Sequence, residues 1–195
     1  MHDAAQTAER PGTGVPFRLH IGCGTNPLPG WINIDREARA PGVLIGIDPA
    51  ALPYPDASVD AVLAEHVFEH FDFAEEQAVW REMARVLRPG GTMTIEVPDF
   101  AWVCATFLAA RDNYVAFYEV GHPDGYAGHG RALDQRWGIL QTMFFGNQNG
   151  PGQFHRSAYT DEKLRALSRM LGFRSIAVET LFNKGGQALR ATLIR

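Results

Sequence analysis

An ordered set of strand ends constrains this chain most. Phe17-Arg-Leu-His-Ile21 reads as a buried strand that runs straight into Gly22-Cys23-Gly24. Trp31-Ile-Asn-Ile-Asp35 is a second short strand and closes on an acid. Val43-Leu-Ile-Gly-Ile47 is a third, followed at once by Asp48. Val59-Asp-Ala-Val-Leu-Ala64 and Thr92-Met-Thr-Ile-Glu-Val97 supply a fourth and a fifth. Between these two lies a helical segment that begins at the capping-box pair Asp72 and Glu75. Its apolar residues are Val79, Met83, Val86 and Leu87, and Pro89-Gly90-Gly91 stops it. A further helix is expected after Asp99, with Phe100, Val103, Cys104, Phe107 and Leu108 on one face. Strands alternating with helices predict a parallel α/β sheet.

The C-terminal part follows a different pattern. Asp161 to Leu171 reads as a helix ended by Gly172, and Ile176–Thr180 and Leu189–Ile194 read as a strand hairpin turning through 183–186. The expected fold is therefore α/β and Rossmann-like, a seven-stranded mostly parallel sheet with a C-terminal antiparallel hairpin. Residues 1–16 are expected to be a disordered tail and 17–195 one domain. A glycine- and aromatic-rich stretch at about 120–158 lacks periodicity and is read as a lid or acceptor region.

Composition narrows the functional classes. The chain has 195 residues, 46% hydrophobic and 21% charged, which fits one globular domain and excludes collagen, coiled coil and disorder. No apolar run reaches the ~18–20 residues of a membrane span, and Met1–Pro16 has neither signal-peptide nor presequence character. A net charge of -4 with scattered Lys and Arg argues against nucleic-acid binding. Two cysteines, Cys23 and Cys104, form no CxxC pair and no disulfide framework, so a reducing, cytoplasmic setting is expected.

The strand ends suggest a ligand. A glycine turn after the first strand lets a ligand approach the backbone at the carboxyl edge of the sheet. Alone, Gly22-x-Gly24 is weak evidence. Asp35 strengthens it, because an acid at the end of the next strand can accept two charge-assisted hydrogen bonds from a ribose diol. Asp48 adds a third polar strand end at the same edge. There is no GxxxxGK[ST], and Asp35 follows Gly22 by thirteen positions, against ~20 in the dinucleotide fingerprint. These features suit a nucleoside without a pyrophosphate.

In order, Leu19-His-Ile-Gly-Cys-Gly-Thr25, Asn33-Ile-Asp35, the run from Asp48 to Asp60, and Arg85-Val-Leu-Arg-Pro-Gly-Gly-Thr92 resemble class I S-adenosylmethionine-dependent methyltransferases of the type-11 group. The resemblance is strong over Phe17–Asp99 and looser in the tail. It implies S-adenosylmethionine as cofactor. Gly22, Cys23 and Gly24 would pass under its methionine part, Asp35 would hold the ribose, and Asp48, Pro49 and Ala50 would meet the adenine. Glu65 and His66 would face the sulfonium and the acceptor. The chain departs from the family at His20, where an acid is usual, and at Asn26, where a third glycine is common. Thr25-Asn-Pro-Leu-Pro-Gly30 leaves no room for the usual first helix, so that helix is expected to be shortened or absent. A group of short bacterial methyltransferase-like proteins is similar in this trimmed turn.

The implied reaction is methyl transfer to a small molecule or saccharide, at oxygen, with His66, Asp99 and His155 as candidate bases. Asp99 reads equally well as a helix N-cap, and His155 with Tyr159 as lid packing. The [DN]PP[YF] signature of amino-group methylation is absent after the fourth strand, where Ala64-Glu-His-Val67 stands. A non-catalytic or partner-dependent cofactor-binding module is the main alternative. His66-Val-Phe-Glu69-His70 matches HxxEH, a zinc-hydrolase pattern, but its place between strand and helix fits the methyltransferase order. No metal site is expected. His122, Asp124 and His129 read as a solvated glycine loop.

Overall fold

In a computed structural model, residues 14–37, 40–109, 142–148, 150–183 and 186–195 are described. The first three strands are β1 (Arg18–Ile21), β2 (Ile32–Asp35) and β3 (Val43–Ile45), followed by β4 (Val59–Glu65) and β5 (Leu87–Pro98). They run parallel, and β6 (Ser175–Asn183) and β7 (Gly186–Ile194) close the sheet as an antiparallel hairpin. The strand order is β3-β2-β1-β4-β5-β7-β6. This is the expected α/β Rossmann-like arrangement, with its switch point between β1 and β4. The expected tail at 1–16 lies outside the described residues up to 13, and most of the expected lid, to 141, lies outside them as well.

Helix α1 (Phe73–Val86) forms as its sequence predicts. Asp72 accepts from the Ala74 and Glu75 N–H groups while the Glu75 carboxylate accepts from Asp72 N–H, a complete capping box. Val79 and Trp80, then Met83 and Val86 at further steps of three or four residues, are buried against the sheet. The helix passes directly into β5, which begins at Leu87 rather than Thr92; Pro89-Gly90-Gly91 sits within the strand, where the register with β4 shifts. Helix α2 (Phe100–Ala109) buries Val103 but leaves Leu108 at 62% exposure, so the expected apolar face is incomplete. Helix α3 (Asp161–Met170) starts at Thr160, whose hydroxyl accepts from Lys163 N–H.

Between β1 and β2 the described chain makes turns and no helix, as the two prolines require. Asn33 holds this connection. Its Oδ1 accepts from Leu28 N–H at 2.8 Å and from the His20 ring at 3.2 Å, and its Nδ2 donates to the Leu28 and Trp31 carbonyls, each at 3.0 Å. A buried amide thus makes four hydrogen bonds, its full capacity for donation, and secures the loop where a helix normally packs.

The segment after 153 returns to the sheet through a second buried network. Trp80 Nε1 donates to the Tyr159 hydroxyl at 3.2 Å, and Lys163 Nζ reaches Glu76 at 2.6 Å and Ser157 at 2.8 Å. Burial pushes the Tyr159 phenol far above its ordinary value, with Glu76 adding to the effect. Phe68 packs edge-on against Trp80 and Tyr159, so this segment and α1 share one aromatic core.

Candidate functional site

The carboxyl ends of β1, β2 and β4, with the turn after β3, line a cavity of about 1040 Å³. It lies where open α/β sheets bind ligands. Gly22, Cys23, Gly24, Asp35, Asp48, Pro49, Ala50 and Glu65, all expected at a cofactor site, line it. His66 and His155 do so too. Asp99 does not; its Oδ1 accepts from the Ala101 and Trp102 N–H groups and its Oδ2 from Gln187 Nε2. Here Asp99 caps α2.

The glycine turn is shaped by its own backbone. Gly22 and Cys23 N–H both donate to the Ile34 carbonyl, at 2.8 and 3.2 Å. Gly22 and Gly24 have φ of 66° and 54°, the left-handed region that glycine enters without a Cβ penalty. A Cβ on Gly22 would meet Val67 Cγ2 at 2.3 Å, whereas one on Gly24 would enter open space. Gly24 N–H donates to Asp35 Oδ2 at 2.8 Å, and Glu37 N–H donates to Asp35 Oδ1 at 2.8 Å. The carboxylate is thereby fixed against the turn. Asp48 accepts from Ala50 N–H at 2.8 Å, closing its own turn at the neighbouring edge. Burial pushes the Cys23 thiol up to about 11, aided by the charge of Asp35, which favours the protonated thiol at neutral pH.

At the other end of the cavity, His66 adopts a φ of 54° and its ring lies between two buried carboxylates. Nδ1 is 3.2 Å from Glu69 Oε1 and Nε2 is 3.2 Å from Glu96 Oε1. Arg190 holds the second oxygen of Glu96 at 2.7 Å and lies 3.6 Å from Glu65. Burial opposes ionisation of Glu69, but the hydrogen bond from His66 and the charges of His66, His70 and His155 outweigh it and hold the carboxyl below its ordinary value. Burial pushes the His155 imidazole below its ordinary value despite the opposing charge of Glu69.

Glu69 and His70 sit on a short 3-10 turn, Phe68–His70. Arg156 and Ser157 N–H donate to the Glu69 carbonyl at 2.7 and 3.1 Å, which ties that turn to the strand-like segment carrying His155. The His70 and His155 rings lie 4.8 Å apart, centroid to centroid. In the HxxEH pattern the two histidines would converge; here His66 faces Glu96, and the side chains that converge are Glu69, His70 and His155. Sequence reasoning named Asn33 and Glu69 only within longer motifs and missed their roles as organisers of the site, and it missed Glu96, whose role depends on cross-strand register with Arg190.

This topology and edge site define a class I methyltransferase fold. Residues 21–95 match the family model of the methyltransferase domain, type 11. The match covers 75 of the chain's 195 residues, and that part of the chain is similar to methyltransferase domains. Solved structures share the fold. A methyltransferase from Archaeoglobus fulgidus is 15% identical, with 93% of this chain and 87% of that chain covered and a TM-score of 0.59. A Burkholderia thailandensis 1,6-didemethyltoxoflavin-N1-methyltransferase, solved with 1,6-didemethyltoxoflavin and S-adenosylhomocysteine, is 16% identical over 93% and 72% of the two chains, with a TM-score of 0.56. A Methanosarcina mazei methyltransferase is 14% identical over 91% of each, with a TM-score of 0.54. Among the described residues no helix is long and apolar enough to cross a membrane.

Proposed function

We propose that the chain transfers the methyl group of S-adenosylmethionine to a hydroxyl of a small molecule or saccharide. The Gly24–Asp35 contact carries this reading: it fixes a carboxylate beside a bare backbone turn, a receptor for a ribose diol above a ligand that must approach closely. Asp48, Pro49 and Ala50 would border the adenine, and Glu65 the sulfonium end. Asp35, Asp48, Glu65 and Glu69 give the cavity an acidic lining that favours a cationic donor. A cavity of about 1040 Å³ has room for a nucleoside and a second molecule. One domain over 17–195, with acceptor contacts from about 120–158, completes the reading. The free thiols of Cys23 and Cys104 fit a cytoplasmic enzyme.

Transfer is an in-line displacement. The acceptor oxygen forms a bond to the methyl carbon as the carbon–sulfur bond breaks, S-adenosylhomocysteine leaves as a neutral thioether, and the hydroxyl proton passes to a base or to solvent. Alignment supplies ~7–11 kcal/mol of the barrier reduction. His155 lines the cavity and is the candidate for the proton, whereas both nitrogens of His66 are engaged by Glu69 and Glu96, which makes it a positioning group.

The test is calorimetric titration with S-adenosylmethionine and S-adenosylhomocysteine, repeated on Asp35→Ala and Asp35→Asn with circular dichroism as a folding control. Removing charge-assisted hydrogen bonds of ~1.5–3 kcal/mol should weaken binding roughly 10–150-fold. Wild-type protein that binds neither ligand would leave a partner-dependent methyltransferase fold.

A further inference from the structure

Three side chains at the acceptor end meet in a way that methyl transfer does not require. The nearest ligand atoms of Glu69, His70 and His155 all lie within 4.8 Å of one another. The ring tautomers follow from their partners. His70 Nδ1 lies 3.1 Å from the Phe154 carbonyl and His155 Nδ1 lies 2.9 Å from the Met143 carbonyl. A carbonyl oxygen only accepts, so both Nδ1 atoms carry the proton, and each Nε2 presents a lone pair when the ring is neutral. The third member, Glu69, is 2% exposed. Its Oε1 is engaged by His66, while Oε2 is buried without a hydrogen-bond partner among the described residues. An orphaned carboxylate oxygen in such a setting costs ~1–3 kcal/mol or more.

We propose that Glu69, His70 and His155 form a divalent transition-metal site, with zinc or another borderline ion such as cobalt as its occupant. Two imidazoles and a carboxylate are the donor set of many open metal sites. Histidine ligands that donate the other ring N–H to a backbone carbonyl are the usual supporting arrangement, because that bond fixes tautomer and ring orientation. His66 supports Glu69 in the same way and is not itself a ligand, since both its nitrogens face carboxylates. The backbone is also held: Arg156 and Ser157 N–H clamp the Glu69 carbonyl, and His155 N–H donates to the Phe145 carbonyl at 3.1 Å. Tetrahedral ligands around zinc stand about 3.3 Å apart, so small side-chain rotations from the observed separations close the site.

The site opens into the same cavity as the glycine turn. Its remaining position would take water or an acceptor hydroxyl, whose acidity an ion raises and whose proton leaves to solvent. That use rests on the oxygen-acceptor reading; the existence of the site does not.

The experiment takes untagged full-length protein, stripped with chelator and dialysed, and titrates Zn²⁺ and Co²⁺ by calorimetry and visible absorption without any nucleoside. One ion per chain, with Co²⁺ ligand-field bands, is expected. Glu69→Gln and His155→Ala should each weaken binding at least about 100-fold, beyond the range typical of supporting residues. X-ray absorption at the zinc edge of wild-type protein provides a readout that needs no variant: two imidazoles and oxygen neighbours are expected. Absence of binding at 100 µM ion, on the order of a thousand-fold above a tight site, a sulfur-containing shell, or affinity unchanged in folded variants would overturn the proposal. S-adenosylmethionine is titrated separately into the metal-free protein, so failure of the cofactor reading and failure of the metal site give different results.

Discussion

Asn33 and Leu28 exchange two hydrogen bonds, Leu28 N–H to Asn33 Oδ1 at 2.8 Å and Asn33 Nδ2 to the Leu28 carbonyl at 3.0 Å. Leu28 stands between Pro27 and Pro29, neither of which can donate, so its N–H is the sole backbone donor of that tripeptide. The pairing substitutes for the packing that a first helix would contribute. It keeps the chain from Gly24 to Trp31 against β2 and leaves the cavity walled.

Asn33→Ala removes the whole arrangement. Loss of several buried hydrogen bonds, with partners left unsatisfied, is expected to destabilise the protein by roughly 2–4 kcal/mol. Urea denaturation checks this; a change under about 0.5 kcal/mol, the range of ordinary surface substitutions, would mean the loop is secured elsewhere.

His20 makes stability depend on pH. Burial pushes its imidazole below the ordinary 6.5, with the Asn33 hydrogen bond partly opposing. The unfolded chain therefore binds a proton near 6.5 that the folded chain refuses until lower pH. Stability is fully present above that value and falls as pH drops towards the folded one. Thermal melts from pH 7.5 to 5 should show this fall, and His20→Gln should flatten it. Some slope should persist, because His155 is shifted in the same direction.

The two glycines of the turn separate fold from ligand. Gly22→Ala drives a Cβ into Val67 and is expected to lower the melting temperature sharply. Gly24→Ala meets nothing within 4 Å and costs only the left-handed strain, about 1 kcal/mol. Yet that Cβ enters the proposed cofactor path, so S-adenosylhomocysteine affinity should fall at least about tenfold, or ~1.4 kcal/mol. Retained affinity in a folded Gly24→Ala would place the cofactor elsewhere.

Cys23 should resist alkylation at neutral pH. With its thiol pushed up to about 11, ~0.1% is thiolate at pH 8. Peptide mass spectrometry after iodoacetamide should find labelling at Cys23 rising about tenfold per pH unit between 8 and 10. Fast labelling at pH 7 would show that the turn opens.

Much of this protein follows from local sequence. The glycine turn, the acids at the second and third strand ends, the capping box of Asp72 and Glu75, and the antiparallel closing hairpin each depend on residues within a few positions of one another. Such patterns survive folding because the chain period and turn chemistry act locally. The start of β5 was not readable, because pairing with β4 and β7 carries Pro89-Gly90-Gly91 into a strand. Nor was the division of labour at Asp99, whose carboxylate is taken by α2 and Gln187.

The sequence by itself determined the α/β order and the glycine turn and acids that gather at one sheet edge, through strand ends placed by parallel crossovers. Tertiary structure alone decided the histidine- and glutamate-lined end of the cavity. His70 and the Phe154 carbonyl meet across 84 positions, and Glu96 and Arg190 across 94. No periodicity encodes such contacts. They exist because the aromatic core of Phe68, Trp80 and Tyr159 draws the 154–159 segment onto the end of β4, where burial turns a few polar groups into a fixed constellation.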